Sequence, residues 1–435
     1  MFSLLLLACV EPAPEARPER ERPPRDTDTQ VDTAGDTAGD DTGTPDDTGA
    51  VHHTPTPGDP ALWTFLVYIV GDNDLEGWVM HDLDELEAGG PGADVRVVAL
   101  ADRAEGYSEA GGDWTGTRLY DLADDGEPTQ VGTAPLEDWG EVDMADPATL
   151  ARFLERGAEI APAEHYVLVL WNHGTGWYAD GQPPPGIGWD DSSEDDLSIA
   201  EGELDAGIAS FTAAHGPFEV VAFDACNMAY FEVGHALRTH ARHLVAAQTT
   251  VGMQGLQYTD SLAALVADTD MSASTLADTL ARAPVELSGE NTFSATDLSQ
   301  MDALASALDG FAGAALADDT AWTALTTARA AARGAEPGVG YRLWSMDLND
   351  LAAQAELGAA PELAAAATDL RAALDVAMVG AYATENFAWT GGLNLYADTR
   401  GLGLYTAPTA TWAAATRWGD VLARLEAEEQ AAAAR

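Results

Sequence analysis

Residues 61–250 alternate between two kinds of segment. Continuous apolar runs occur at Trp63–Val70 (WTFLVYIV), Asp94–Leu100 (DVRVVAL), Tyr166–Trp171 (YVLVLW), Phe218–Phe223 (FEVVAF) and His243–Ala247 (HLVAA). Their length and β-rich composition predict buried strands. Between them, apolar residues recur at helical spacing over Leu75–Ala88, with Leu75, Val79, Leu83 and Leu86 on one face. The spacing also predicts helices over Asp146–Ile160, where Pro147 suits the first turn, over Ser198–His215 and over Met228–Thr239. Strand and helix in turn predict an α/β fold with a mostly parallel sheet covered on both faces. After residue 260 the chain is Ala-rich, and helices are expected over 261–284, 298–334, 350–380 and 409–433. Thr292–Thr296 and Leu393–Tyr396 are candidate short strands. We assign this C-terminal part to packing and regulation.

The N-terminus has a different pattern. Residues 2–8 (FSLLLLA) are apolar but far too short to span a bilayer, which takes about 20 residues. They fit a short signal segment, and Leu6-Leu7-Ala8-Cys9 resembles a lipobox, with Cys9 as the lipidated residue. Residues 10–60 are rich in Asp, Thr and Pro, and are expected to be a disordered acidic linker. The expectation is an exported, lipid-anchored protein of the bacterial cell envelope. Its domains are a signal peptide (1–9), a linker (10–60), a globular core (61–260) and a helix-rich remainder of the same unit (261–435).

Charge narrows the function classes. The 435 residues carry 73 Asp+Glu against 20 Lys+Arg, every one of the latter being Arg, for a formal net charge of −53. Only 13 of the acids lie in residues 11–60, so the folded part is itself acidic. Such a field repels phosphate backbones, which argues against nucleic-acid binding. It is equally the signature of a highly soluble surface. The two cysteines, Cys9 and Cys226, cannot make a disulfide framework.

Ligands of open α/β sheets bind beyond the carboxyl ends of the strands. Two strand ends there carry chemistry. Tyr166–Trp171 runs into Asn172-His173-Gly174-Thr175-Gly176-Trp177, and Phe218–Phe223 runs into Asp224-Ala225-Cys226-Asn227. A thiol needs a base to become a nucleophile, and His173 is placed to serve Cys226. The amides of Gly174 and Cys226 are candidates for an oxyanion hole. The plainer readings are a buried Cys acting as a small hydrophobe and a loop histidine. His235, His240 and His243 lack zinc-site spacing. Asp72 and Asp74 read as turn formers.

Several segments in order carry a resemblance. WTFLVYIVGDNDLE (63–76), EVDMADPATLARFL (141–154), LVLWNHGTGW (168–177), GIGWDDSSEDDLSIAE (186–201) and FDACNMAYFEV (223–233) resemble the clostripain family of cysteine peptidases, relatives of caspases. The resemblance implies a caspase-like αβα sandwich, Cys226 as nucleophile, His173 as general acid/base, and cleavage of peptides or proteins after Arg. It also implies substrate binding by Asp224, for which capping of the helix at 228 is the alternative. Gln254 stands where the family has an acidic pocket residue, and Ala247-Gln248 replaces a Ser-Glu pair. Some relatives need calcium, and the acidic loop at 190–196 could bind it; no other cofactor is implied. A monomer is expected. The alternative to an enzyme is a surface-anchored binding protein that keeps the fold without catalysis.

Overall fold

The computed structural model describes residues 60–435, apart from 125, 127–129, 178–185 and 335–344. The expected signal peptide, the lipidation site Cys9 and residues 10–59 of the linker lie outside the described residues.

The strands are β1 (Ala61–Ile69), β2 (Val95–Ala101), β3 (Thr117–Leu122), β4 (Glu137–Gly140), β5 (Ala163–Trp171), β6 (Ile187–Asp190), β7 (Asp195–Leu197), β8 (Phe218–Asp224), β9 (Ala241–Ala246), β10 (Thr292–Asp297), β11 (Ser345–Asp347), β12 (Met378–Ala383) and β13 (Asn394–Tyr396). The helices are α1 (Glu76–Ala88), α2 (Pro147–Ile160), α3 (Glu203–His215), α4 (Phe231–Leu237), α5 (Tyr258–Ala267), α6 (Ala273–Ala283), α7 (Met301–Ala315), α8 (Asp319–Ala331), α9 (Leu348–Glu356), α10 (Pro361–Ala377), α11 (Leu402–Tyr405) and α12 (Trp418–Ala433).

Nine strands form one sheet in the order β12-β10-β9-β8-β5-β1-β2-β3-β4. Its five central strands, β9-β8-β5-β1-β2, are mutually parallel, and the pairs added at each flank are antiparallel. Alternate residues of the central strands point to opposite faces. Leu66, Tyr68, Leu168, Leu170, Val221 and Phe223 pack with α2, α3 and the C-terminal helices. Phe65, Val67, Val167, Val169, Val220 and Ala222 pack with α1, α5 and α6. The result is the predicted three-layer α/β architecture with a helix-rich C-terminal region. Asp146 caps α2 by accepting from Ala148 N at 2.8 Å, with Pro147 next, as its sequence implies.

The differences have local causes. β3 (TRLYDL) and β4 (EDWG) were not expected, because both are half-polar and short, with β4 at the edge of the sheet. The expected helix 298–334 divides into α7 and α8, because Asp318 accepts from Ala321 N and starts a new helix. The span 350–380 likewise divides at Pro361 and ends in β12, whose sequence MVGAYA follows the Ala-rich α10 without a turn signal between them. The last helix starts at Trp418 rather than at 409. β10 and β12 extend the sheet with strands from beyond residue 260, so the C-terminal part shares the sheet of the core.

Candidate active site

Register places the site. Ile69 of β1 lies level with Trp171 of β5 and Ala101 of β2, and Trp171 lies level with Asp224 of β8. The segments that follow these four residues therefore emerge at one edge of the sheet. They are laced together there. Asn73 Nδ2 donates to the carbonyls of Val70 (3.1 Å) and Trp189 (2.8 Å), and Asn172 Nδ2 donates to the same two carbonyls.

One cavity at this edge is lined by both His173 and Cys226, together with Trp78, Asp82, Asp224 and Gly255 among others. Cys226 is buried, and its sulfur accepts from Val251 N at 3.3 Å. Asn227 follows in the left-handed region at φ 58°, which Asn tolerates better than most residues, and this turns the chain sharply after the thiol. The backbone of Gly174 lies directly against the Cys226 peptide. A Cβ at position 174 would overlap the Cys226 carbonyl oxygen, so only glycine permits this approach.

His173 Nε2 lies 2.7 Å from Asp74 Oδ1. That hydrogen bond holds the Asp74 carboxyl below its ordinary range. An ionised carboxylate only accepts, so Nε2 carries the proton in this pair. Asp74 is thus more than a turn former, the reading its sequence context favoured. Nothing local separates the two roles, since the partners are 99 residues apart.

Two buried acids reach the cavity. Asp224 Oδ2 accepts from Leu256 N (3.1 Å) and from the Tyr258 hydroxyl (2.8 Å). These bonds fold the 252–258 loop over it, with Gly255 at φ +46° pressed against the carboxylate. Asp224 does not cap a helix at 228, because α4 starts only at Phe231. Burial, and then the charge of Asp82, push the Asp224 carboxyl up to about 8. Asp82 lies on α1, and its oxygens accept from Trp171 Nε1 (2.6 Å) and His81 Nδ1 (2.9 Å). Sequence reasoning missed Asp82. Helical spacing drew attention to the apolar face of α1 and left its acids to solvent, yet Glu76, Asp82 and Glu87 are buried as well. Gln254 is half-buried on the pocket loop, while its neighbours Met253 and Gly255 are the residues that line the cavity. Glu290 accepts from Gly252 N at 2.7 Å and so anchors the loop from the C-terminal half.

A second acidic group lies beside the first. Asp72, Asp102, Glu141 and Asp190 each bring a carboxylate oxygen within 4.8 Å of the others. Burial and mutual repulsion push Asp102 up to about 8 and raise Asp190 and Glu141. Of the acidic residues in 190–196, Asp190 is the one that joins this group. The three histidines of 235–243 are dispersed: His235 meets Thr411, His240 meets Thr212 and Asp205, and His243 meets the Glu219 carbonyl.

A sequence model of the clostripain family matches residues 67–340. The chain belongs to the clostripain family. It is 30% identical over 215 residues to clostripain of Hathewaya histolytica, covering 45% of this chain and 40% of that protein. The match thus spans two fifths of that relative's length. Among solved structures, the chain is similar to a secreted C11 cysteine protease from Bacteroides thetaiotaomicron in complex with an irreversible peptide inhibitor. The TM-score is 0.63 at 19% identity, covering 83% of this chain and all of that one. It is also similar to an inactive zymogen C11 protease from Parabacteroides distasonis, with a TM-score of 0.57 at 20% identity, covering 79% and 93%. At these identities the likeness is one of fold. For this clostripain-family chain, the fold places the His173 and Cys226 loops at the carboxyl edge of the parallel strands. Among the described residues, no helix is long and apolar enough to cross a membrane.

Proposed function

We propose that the chain is a cysteine endopeptidase that cleaves peptides or proteins after basic residues. Family membership supports the reaction class. The observation that carries the reading is the single cavity holding Cys226, His173 and the buried acids Asp82 and Asp224. A basic P1 side chain entering this cavity meets the carboxyl groups of Asp82 and Asp224 in a low-dielectric wall, and its positive charge favours the ionised form of Asp224, which burial otherwise pushes up to about 8. Gln254 does not remove that preference, because the acids come from α1 and the end of β8.

Chemistry then follows from the positions. Asp74 holds Nε2 of His173, so Nδ1 is the nitrogen that takes the Cys226 proton. The thiolate attacks the scissile carbonyl carbon, and the amides of Gly174 and Cys226 stabilise the oxyanion. His173 returns the proton to the leaving amine as the C–N bond breaks and a thioester forms. Water, deprotonated by His173, hydrolyses the thioester and restores the thiol. The Leu6–Cys9 lipobox adds export and lipid anchoring to the proposal.

The test uses the full chain and its Cys226→Ala variant on a peptide library read by mass spectrometry. Cleavage after Arg or Lys that is lost in the variant is expected. Equal cleavage by both proteins, or cysteine-dependent cleavage with no basic preference, would overturn the reading.

A further inference from the structure

We infer, on the peptidase reading, that Asn73 and Asn172 are positioning residues that hold the His173–Asp74 pair at the spacing the reaction uses. Asn73 directly precedes Asp74, and Asn172 directly precedes His173. The pair itself has little to hold it. Asp74 is exposed and His173 half-buried, and an ion pair that close to solvent keeps its own geometry only weakly. The 2.7 Å separation of Nε2 and Oδ1 is therefore imposed by the backbone behind the two residues.

The two asparagines close a ring with two carbonyls. Asn73 Nδ2 donates to the Val70 and Trp189 carbonyls at 3.1 and 2.8 Å, and Asn172 Nδ2 donates to the same two, that of Trp189 at 2.9 Å. An amide nitrogen has two hydrogens and a carbonyl oxygen two lone pairs, so these bonds use all four groups fully. Each Oδ1 is used as well. Asn73 Oδ1 accepts from Leu75 N at 2.9 Å, and Asn172 Oδ1 from Trp189 N at 3.2 Å. Both side chains are almost fully buried, at 1% and 3% exposure. The ring joins the turn after β1, the residue after β5, and β6.

A turn-forming asparagine needs only its Oδ1, as in the bond from Leu75 N to Asn73. The Nδ2 bonds go further. Asn73 reaches Trp189 across 116 residues, and Asn172 reaches Val70 across 102. They fix the turn after β1 against the loop after β5, and that relation decides whether Asp74 reaches His173. If one asparagine is lost, the other still donates to both carbonyls, so neither buried acceptor is left without a donor. A single substitution should therefore spare the fold and loosen the pair.

The experiment measures steady-state cleavage of an Arg peptide and alkylation of Cys226 by iodoacetamide, both in the full chain. Asn172→Ala and Asn73→Ser are compared with wild type, with Asp74→Asn, and with each asparagine variant combined with Asp74→Asn. Serine keeps an oxygen for Leu75 N but cannot span both carbonyls. We expect kcat to fall about 10- to 30-fold in each asparagine variant, with KM changed less than about twofold. The combined variants should lose no more than about threefold beyond Asp74→Asn, because the asparagines act through that carboxylate. Alkylation at neutral pH should slow in His173→Ala and in both asparagine variants, since each weakens the base that takes the thiol proton. Should Asn172→Ala fail to fold, Asn73→Ser carries the test. Losses that multiply in the combined variants, or an effect confined to KM, would overturn the inference. So would alkylation that depends on His173 but not on the asparagines. Alkylation indifferent to His173 would overturn the peptidase reading first, and the inference with it.

Discussion

At the carboxyl edge of the sheet, Asp82 and Asp224 face an open cavity, whereas Asp72, Asp102, Glu141 and Asp190 face one another. Both groups are made largely of buried acids, and among the described residues neither is paired with Arg. They differ in how their lone pairs are used. In the cavity, the Trp171 indole N–H, the His81 imidazole, the Tyr258 hydroxyl and the Leu256 amide satisfy the two acids, which line the opening. Such a wall suits a cation that comes and goes with substrate. In the second group, one oxygen of Asp102 accepts no hydrogen bond among the described residues, and four carboxyl groups crowd together. The acid type is shared; the supply of neutral donors and the direction of the carboxylates decide the role.

The comparison breaks first at Asp224. Above pH 8, where Asp224 is ionised, Asp224→Asn should lower kcat/KM for Arg substrates by about 100-fold or more, since it removes one partner of a buried charge pair. Hydrolysis of a neutral-P1 peptide should change far less; equal losses on both would mean that Asp224 only folds the loop. Asp74→Asn comes next. It should lower kcat by about 30-fold with KM little changed, because it acts through His173 rather than on substrate. A pure KM effect would remove Asp74 from that role.

Asp82 sharpens the contrast through pH. Asp224, with its carboxyl near 8, is neutral below that value and charged above it. The Arg preference should therefore strengthen as pH rises through about 8. In Asp82→Asn that transition should move to lower pH, since a repelling charge is gone, while the preference above the transition falls by about 10-fold. An unmoved profile would separate the two acids.

Glu232 is a buried acid that belongs to neither group. Its Oε1 accepts from Tyr396 N and the Tyr405 hydroxyl, and burial pushes it up to about 7 from 4.5. A carboxyl raised in the folded state binds more protons there than in the unfolded chain, so stability falls as pH climbs from about 4.5 to 7. Glu232→Gln should raise Tm by about 3 °C at pH 8 and have little effect near pH 4.5. A constant difference at both pH values would count against the ionised wild-type carboxylate as its cause. The smallest effect is expected of Gln254→Glu. That side chain belongs to the pocket loop but not to the cavity wall, so Arg preference should change by less than about threefold.

Much of the fold was legible in the sequence. The five parallel strands are long apolar runs, and Asp146-Pro147 marks a helix start without help from elsewhere. The two loops with His173 and Cys226 could be assigned to the carboxyl edge, because strand and helix alternate. β4 and β12 were not legible, since EDWG is too short to show a period and MVGAYA continues an Ala-rich helical stretch without a break in composition. Helical periodicity also hid Asp82, for a buried charge on a helix looks like a solvent-facing one until its neighbours are known.

What the sequence determined by itself was the α/β order, the covered sheet, and the placing of a thiol and an imidazole on two strand ends. Local patterning decides those features, since apolar periodicity sets which segments are buried. The tertiary structure alone decided the partners of the acids: Asp74 with His173, Asp82 with Asp224, and the ring of Asp72, Asp102, Glu141 and Asp190. The strength and role of a carboxylate depend on its dielectric and on charges brought from distant parts of the chain, and no local period records either.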